Sequence, residues 1–201
     1  MIKRWGPKAA KQRVWNSEYE KGKWQYQRQG PNDEDVEPVY EFVEKYATDG
    51  TVLDLGCGSG MTALEMRNTF RSYVGVDVSD VAISNARTAL AEQPDRCAKV
   101  RFFAGDIYSY VPDALFSAIL FRESIYYVPI RLIRPMLDRY AHNLIPGGAF
   151  IIRICDRERF KSIIQLIDEH FRVAETFIPA DSSMTILVVR VITEHNSPNK
   201  A

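Results

Sequence analysis

From residue 51 onward, short apolar runs alternate with longer stretches of helical periodicity. "TVLDL" (51–55), "SYVGVD" (72–77), "KVRFFAGD" (99–106), "ALFSAILFRE" (114–123) and "GGAFIIRICD" (147–156) are short, apolar and largely β-branched or aromatic, and each predicts a strand. Helices are expected between them, over 61–70, 79–93, 128–144 and 157–169. Ser79 stands at a capping position and Pro94 marks a stop, while Pro129 and Pro135 suit the first turns of the third helix. Upstream, Val39, Phe42, Val43 and Tyr46 put one apolar stripe on a helix over 36–47, and 11–27 is aromatic-rich and weakly helical. "GPNDED" (30–35) reads as a turn or linker.

Near the end the alternation breaks. Two strand-like runs, 171–179 and 183–192, are joined by "ADS" with no helix between them. Strands connected through helices pair in parallel, whereas directly connected strands pair antiparallel. The pattern therefore predicts an α/β fold with seven strands, mostly parallel, the last reversed.

Composition narrows the class. A chain of 201 residues with 46% hydrophobic and 26% charged residues suits one globular domain with a short appendage. No apolar run approaches the roughly 18 residues of a membrane span, and no apolar segment follows the basic N-terminus, so neither membrane nor secretory signal is expected and the location is expected to be cytoplasmic. Cys57, Cys97 and Cys155 are odd in number and far apart, which fits reduced thiols, and with His142, His170 and His195 they show no metal-ligand spacing. Net charge is zero, against the basic bias of a typical nucleic-acid binder. Basic residues nevertheless gather in 1–28 and acidic ones in 31–49. That separation suits either two solvated faces or a basic arm for an anionic substrate.

The candidate chemistry begins at "VLDLGCGSG" (52–60). The dinucleotide fingerprint needs a third glycine where Met61 stands, and no Gly-Lys-Ser/Thr closes a phosphate loop. Asp54 would repel a pyrophosphate but attract an ammonium, since opposite charges about 4 Å apart gain roughly 4 kcal/mol at an effective dielectric near 20. The next strand ends in Asp77, placed to take ribose hydroxyls. The third runs into Asp106 and Ile107, which suit an adenine amine and a ring nitrogen. A cation, a ribose and an adenine occur together in S-adenosylmethionine. Cys57 reads as a small loop filler rather than a nucleophile.

With these residues in place, 52–156 resembles the class I S-adenosylmethionine-dependent methyltransferases. "VLDLGCGSG" is similar to that family's first motif, "YVGVDVS" to its second, "VRFFAGDIY" to its third and "ALFSAILFRESIYYV" to its fourth, and "LIPGGAFIIR" carries the turn before its fifth strand. The resemblance implies a Rossmann-like three-layer sandwich with strand order 3-2-1-4-5-7-6 and an antiparallel last strand. It also implies a cofactor set of Asp54, Gly56, Cys57, Gly58, Gly60, Asp77, Val78, Gly105, Asp106, Ile107 and Phe121, and S-adenosylhomocysteine as product.

The acceptor edge is expected at the end of the fourth strand, "FRESIYYV". There Glu123 could receive a proton or hold an amine, Tyr126 and Tyr127 could line the pocket, and Arg122 points to solvent or pairs with an acid. The Asn/Asp-Pro-Pro-Tyr/Phe motif of nucleic-acid base methylators is absent. Trp15, Tyr19 and Trp24 resemble the aromatic N-termini of small bacterial enzymes that methylate sugars and natural products. Residues 1–35 are thus expected to form a lid over cofactor and acceptor, or merely to cement the segment to the sheet. Residues 36–193 would be the methyltransferase domain and 194–201 a flexible tail. The expected activity is methylation of an oxygen or nitrogen of a small molecule by a monomer or homodimer. Protein or RNA methylation, and a non-catalytic cofactor-binding subunit or sensor, stand as alternatives.

Overall fold

The structure, a computed structural model, describes residues 6–24, 38–180 and 182–190. The predicted linker over 30–35 and the tail over 194–201 lie outside the described residues. The elements run α1 (Lys8–Glu20), α2 (Pro38–Ala47), β1 (Thr51–Leu55), α3 (Met61–Glu65), β2 (Ser72–Asp77), α4 (Asp80–Ala91), α5 (Pro94–Cys97), β3 (Val100–Ala104), β4 (Phe116–Arg122), α6 (Ile130–Ala141), β5 (Leu144–Ile154), α7 (Lys161–His170), β6 (Arg172–Phe177) and β7 (Thr185–Arg190). One sheet joins the seven strands in the order β3-β2-β1-β4-β5-β7-β6. Its first five strands pair in parallel, and β7 runs antiparallel to both neighbours. This is the predicted order and sense.

Strand alternation builds a core on each face of the sheet. Along β4, Ile119 and Phe121 pack with Ile133, Met136 and Tyr140 of α6 and Ile163 and Ile167 of α7. Their neighbours Ala118 and Leu120 pack on the other face with Val39 and Val43 of α2, Ala63 beside it, and Ile83 and Ala86 of α4. The sandwich is thus helix, sheet, helix, and the carboxyl ends of β1 to β5 all open toward one edge.

Two helices depart from the sequence pattern. The helix expected over 61–70 ends at Glu65, because Met66 is extended at φ −60° and ψ 156°. Met66 and Phe70, beyond the helix end, are both buried. The helix expected over 128–144 is shorter, running as α6 over Ile130–Ala141, and a 3-10 turn at Ile125–Tyr127 precedes it. Pro129 stands at the N-cap position of α6, just ahead of the first turn expected for it, and Pro135 sits inside the helix rather than in its first turn. It lies on the exposed side, where its ring escapes the core and only one helical hydrogen bond is lost. Ser79 caps α4 as predicted, accepting from the amide of Ala82 at 3.1 Å.

Candidate active site

The loop after β1 is folded back onto β2. The amides of Gly56 and Cys57 both donate to the Val76 carbonyl, at 2.8 and 3.1 Å. Such a reversal requires left-handed backbone at Gly56 (φ 90°) and Gly58 (φ 56°), which glycine adopts without a Cβ penalty. Gly56 also lets Ser124 approach: a Cβ there would stand 2.4 Å from the serine Cβ. The loop and the end of β4 are therefore in contact across the mouth of the sheet.

The strand-end acids differ in how they are held. Asp54 is buried, and Tyr73 donates its hydroxyl to Asp54 Oδ2, while Asp54 Oδ1 has no hydrogen-bond partner. Burial pushes the Asp54 carboxyl up to about 6, against the lowering effects of Tyr73 and the nearby Arg122 guanidinium. Asp77 accepts the amides of Gly58 at 3.0 Å and Ser79 at 2.8 Å, yet burial lifts its carboxyl to about 6 as well. Asp106 accepts the amide of Tyr108 at 2.9 Å and the ammonium of Lys11 at 2.7 Å.

These acids line a cleft of about 1360 Å³. A pocket for one small ligand measures roughly 300–1,000 Å³, so the cleft has room for two. Asp54, Gly56, Cys57, Gly58, Asp77, Val78, Asp106 and Ile107 line one end of it. The fit to S-adenosylmethionine rests on the buried Asp54 Oδ1, an acceptor waiting for a donor, and on the loop in front of it. A ligand ammonium would supply that donor, and Asp77 and Asp106 lie beyond it in the order that ribose and adenine require.

Three expected members do not reach the cleft. Phe121 is fully buried and packs its ring against Tyr140 and Phe150, at 6.3 and 6.4 Å. The two-residue period of β4 turns it into the core with Ile119, which corrects the cofactor role expected of it. Gly60 is a hinge beneath the loop: at φ 83° it starts α3, and a Cβ there would stand 2.6 Å from Phe102. Gly105 donates its amide to the Asp77 carbonyl at 2.8 Å and lies close to the Val76 side chain. Both glycines shape the site without lining it.

At the other end of the cleft, Glu123 is set in left-handed backbone at φ 57°. Its carboxylate pairs with the Arg153 guanidinium and accepts from the Tyr126 hydroxyl at 2.6 Å and the Cys155 amide at 3.1 Å. Tyr126 stacks on Phe160 with centroids 4.2 Å apart, and burial together with Glu123 raises its phenol well above the ordinary range. Tyr126 is thus a fixed donor at neutral pH. Tyr127 meets the Trp15 ring edge-on at 4.8 Å, and Trp24 lies 5.8 Å from Trp15 and 6.4 Å from Tyr19.

Helix α1 carries that aromatic group to the cleft. Its Asn16 accepts from the Ser79 hydroxyl at 2.7 Å and donates to Asp80 at 2.5 Å, while Lys11 reaches Asp106. The structure therefore brings Trp15, Tyr19 and Trp24 into the same cleft as the strand-end acids. Lys11 belongs there too, although in sequence it was one basic residue among many.

Several lining residues carried no local signal. Arg122 is neither in solvent nor far from the chemistry: its guanidinium lies 5.5 Å over the Tyr40 ring and lines the cleft. Tyr40 in turn donates to Glu65 at 2.6 Å. Arg131, Arg153, Arg159 and Phe160 also line the cleft. A charged residue closing an otherwise buried strand, as Arg122 does, was the available clue. Among the described residues no group of His, Cys, Asp and Glu side chains is placed to hold a metal ion, and no helix is long and apolar enough to cross a membrane.

Comparison with known proteins agrees with this geometry. Residues 52–148 match the family model described as a methyltransferase domain. The chain is 30% identical over 129 residues to trans-aconitate 2-methyltransferase of Sinorhizobium medicae, covering 62% of this chain and 46% of that one. It is 27% identical over 123 residues to 2-heptyl-1-hydroxyquinolin-4(1H)-one methyltransferase of Mycobacteroides abscessus, covering 61% and 53%. The chain thus spans about half the length of these curated relatives. Among solved structures it is similar to the N-methyltransferase NodS from Bradyrhizobium japonicum in complex with S-adenosylhomocysteine, with TM-score 0.60 and 19% identity over 83% of this chain and 97% of that one. With this sheet order, this loop and these strand-end acids, residues 52–148 match a methyltransferase domain, and the fold is similar to that of class I S-adenosylmethionine-dependent methyltransferases.

Proposed function

We propose that this chain transfers the methyl group of S-adenosylmethionine to an oxygen or nitrogen of a small molecule. The observation that carries the reading is the continuity of one cleft from the acids Asp54, Asp77 and Asp106 to an aromatic chamber at Tyr126, Tyr127, Trp15 and Phe160. A protein that only sensed the cofactor would have no use for the second chamber. The named acceptors of the two curated relatives are also small molecules.

When bound, the cofactor supplies a methyl group already activated by a positive sulfur. Asp54 is assigned to its ammonium, Arg122 beside it to its carboxylate, Asp77 to the ribose hydroxyls, and Asp106 with Ile107 to the adenine. The remaining task of the protein is to align the acceptor and exclude water, which can account for roughly 7–11 kcal/mol of barrier lowering. Trp15 and Tyr19 on α1, with Trp24 in the turn after it, do the excluding as a lid. Tyr126 and Tyr127 wall the acceptor. Glu123, with three donors on its carboxylate, holds Arg153 and Tyr126 in place rather than receiving a proton. An acceptor that loses its proton readily, or has none to lose, then needs no protein base.

Calorimetry with S-adenosylhomocysteine tests the cofactor half, and transfer of labelled methyl to a panel of phenols, amines, acids and sugars tests the other. Tight cofactor binding without transfer to any member of the panel would favour the sensor.

A further inference from the structure

We infer that the methyl acceptor is a hydrophobic small molecule, an apolar body with few polar groups besides the atom that is methylated. The inference deepens the methyl-transfer reading and rests on it for the identity of the second ligand. The path of the chain sets the surface. Beyond Ser124 it makes the 3-10 turn Ile125–Tyr127, then stays extended at Val128 (φ −87°, ψ 136°) and Pro129 (φ −55°, ψ 133°) before α6 begins. A continuous helix would show the cleft one face. Here the turn, the extended pair and the first turn of α6 together put every residue over 126–132 on it. In that run Arg131 is the one charged residue. The start of α7, after β5, adds Phe160 and Ile163.

The polar side chains that enter this chamber are engaged already. Glu123 accepts from Arg153, Tyr126 and the Cys155 amide, and the Cys155 thiol lies 3.6 Å from the Tyr126 hydroxyl. The Arg159 guanidinium lies 5.2 Å over the Phe160 ring, and Arg131 is not a free charge either. A sugar buried here would exchange water for groups whose contacts are already made, and a buried hydroxyl left without a partner is unfavourable. A hydrocarbon body asks nothing of these groups.

The apolar surface has more to gain. Ile130 is 42% exposed at the rim, and Leu132, Tyr127 and Trp15 are half-buried. Trp15 comes from α1 and meets Tyr127 edge-on, so the proposed lid also brings an apolar ring to the chamber. Covering this surface favours a ligand in proportion to the apolar area it removes from water.

The test separates this inference from the methyl-transfer reading by measuring binding alone. Calorimetry on the full chain saturated with S-adenosylhomocysteine compares para-methyl-, para-propyl- and para-pentylphenol with para-hydroxyphenyl glucoside, phenols that differ only in the para substituent. Affinity is expected to rise about fourfold for each methylene buried, with an increasingly negative heat-capacity change, and the glucoside is expected to bind more weakly than para-methylphenol. Ile130→Asn, at an exposed position, and Leu132→Asn should each weaken para-pentylphenol several-fold and leave S-adenosylhomocysteine affinity unchanged. Affinity that does not rise with chain length, glucoside binding as tight as that of para-pentylphenol, no binding of any phenol, or a chain-length effect fully retained in the double variant would overturn the inference. Chain-length-dependent binding with no transfer of labelled methyl to any acceptor would instead sink the methyltransferase reading and leave the apolar site standing.

Discussion

The ammonium of Lys11 on α1 lies 2.7 Å from the carboxylate of Asp106, which stands two residues past the end of β3 and is proposed to meet the adenine. One contact therefore fastens α1, the proposed lid, to the proposed adenine end of the cleft. Both side chains are largely buried, at 17% and 8% exposure, so the pair is screened less than a surface ion pair. Lys11→Met is expected to loosen α1 without disturbing the sheet. Hydrogen exchange should speed up across residues 8–20 and stay unchanged in β1 and β4, and S-adenosylhomocysteine should dissociate several-fold faster. Unaltered exchange in α1 would mean that the aromatic contacts alone hold the lid.

Binding of the cofactor should depend on pH through Asp54. The folded protein raises both Asp54 and Asp77 to about 6, above the ordinary aspartate range. It therefore holds extra protons relative to the unfolded chain between about pH 4 and pH 6, and the stability they contribute is complete below that window and lost as pH rises through it. Ligand binding runs the opposite way, because an ammonium requires the ionised carboxylate. Affinity for S-adenosylhomocysteine is expected to rise about tenfold between roughly pH 5 and pH 7 and then level off. Asp54→Asn should remove that part of the slope and weaken binding at neutral pH, as followed by calorimetry across the range. Tyr73→Phe, which removes a hydrogen bond favouring the charged form, should move the midpoint upward.

Much of the cofactor end was legible because its information is local. Asp54 lies in a strand that Gly56 and Gly58 follow, and Asp77 closes the next one, so residue type and spacing pointed to them. Phe121 was misplaced because knowing that a strand exists does not say which face a given side chain takes; its alternation with Leu120 is settled by what α6 packs against. The acceptor end is a different problem. Arg131, Arg153 and Arg159 are spread along the chain, and only the pairing of β4 with β5 joins them, just as Glu123 finds Arg153 thirty residues away.

Three glycines with left-handed backbone, two of them in the loop after β1, offer a graded test of backbone and space. Gly147 has φ 83° with nothing within 4 Å of a built Cβ, so Gly147→Ala should cost only the left-handed conformation, about 1–2 kcal/mol. Gly60 has the same φ, but its Cβ would strike Phe102 at 2.6 Å. Gly60→Ala is therefore expected to lower the melting temperature by more than Gly147→Ala. Gly56→Ala adds a clash with Ser124 at 2.4 Å and should also abolish cofactor binding. Thermal unfolding of the three variants with and without S-adenosylhomocysteine checks the order, and equal losses at positions 147 and 60 would refute it.

Glu123 distinguishes a proton acceptor from a frame. Its carboxylate already receives Arg153, Tyr126 and the Cys155 amide, and its backbone is in the left-handed region, where a non-glycine residue costs roughly 1–3 kcal/mol. Such strain persists only where surrounding contacts enforce it, and here they are the three donors. Glu123→Gln keeps the shape but loses the charge that Arg153 faces. It is expected to lower the melting temperature and raise the acceptor KM, while kcat falls less than about tenfold and its pH profile keeps its shape. A general base would behave otherwise, since removing one typically costs 10²–10⁴-fold and erases a limb of the profile. Glu123→Gly separates the two contributions further: it relieves the strained backbone and deletes the carboxylate, so it should be less destabilising than the contacts alone imply, yet no better than Glu123→Gln at holding the acceptor.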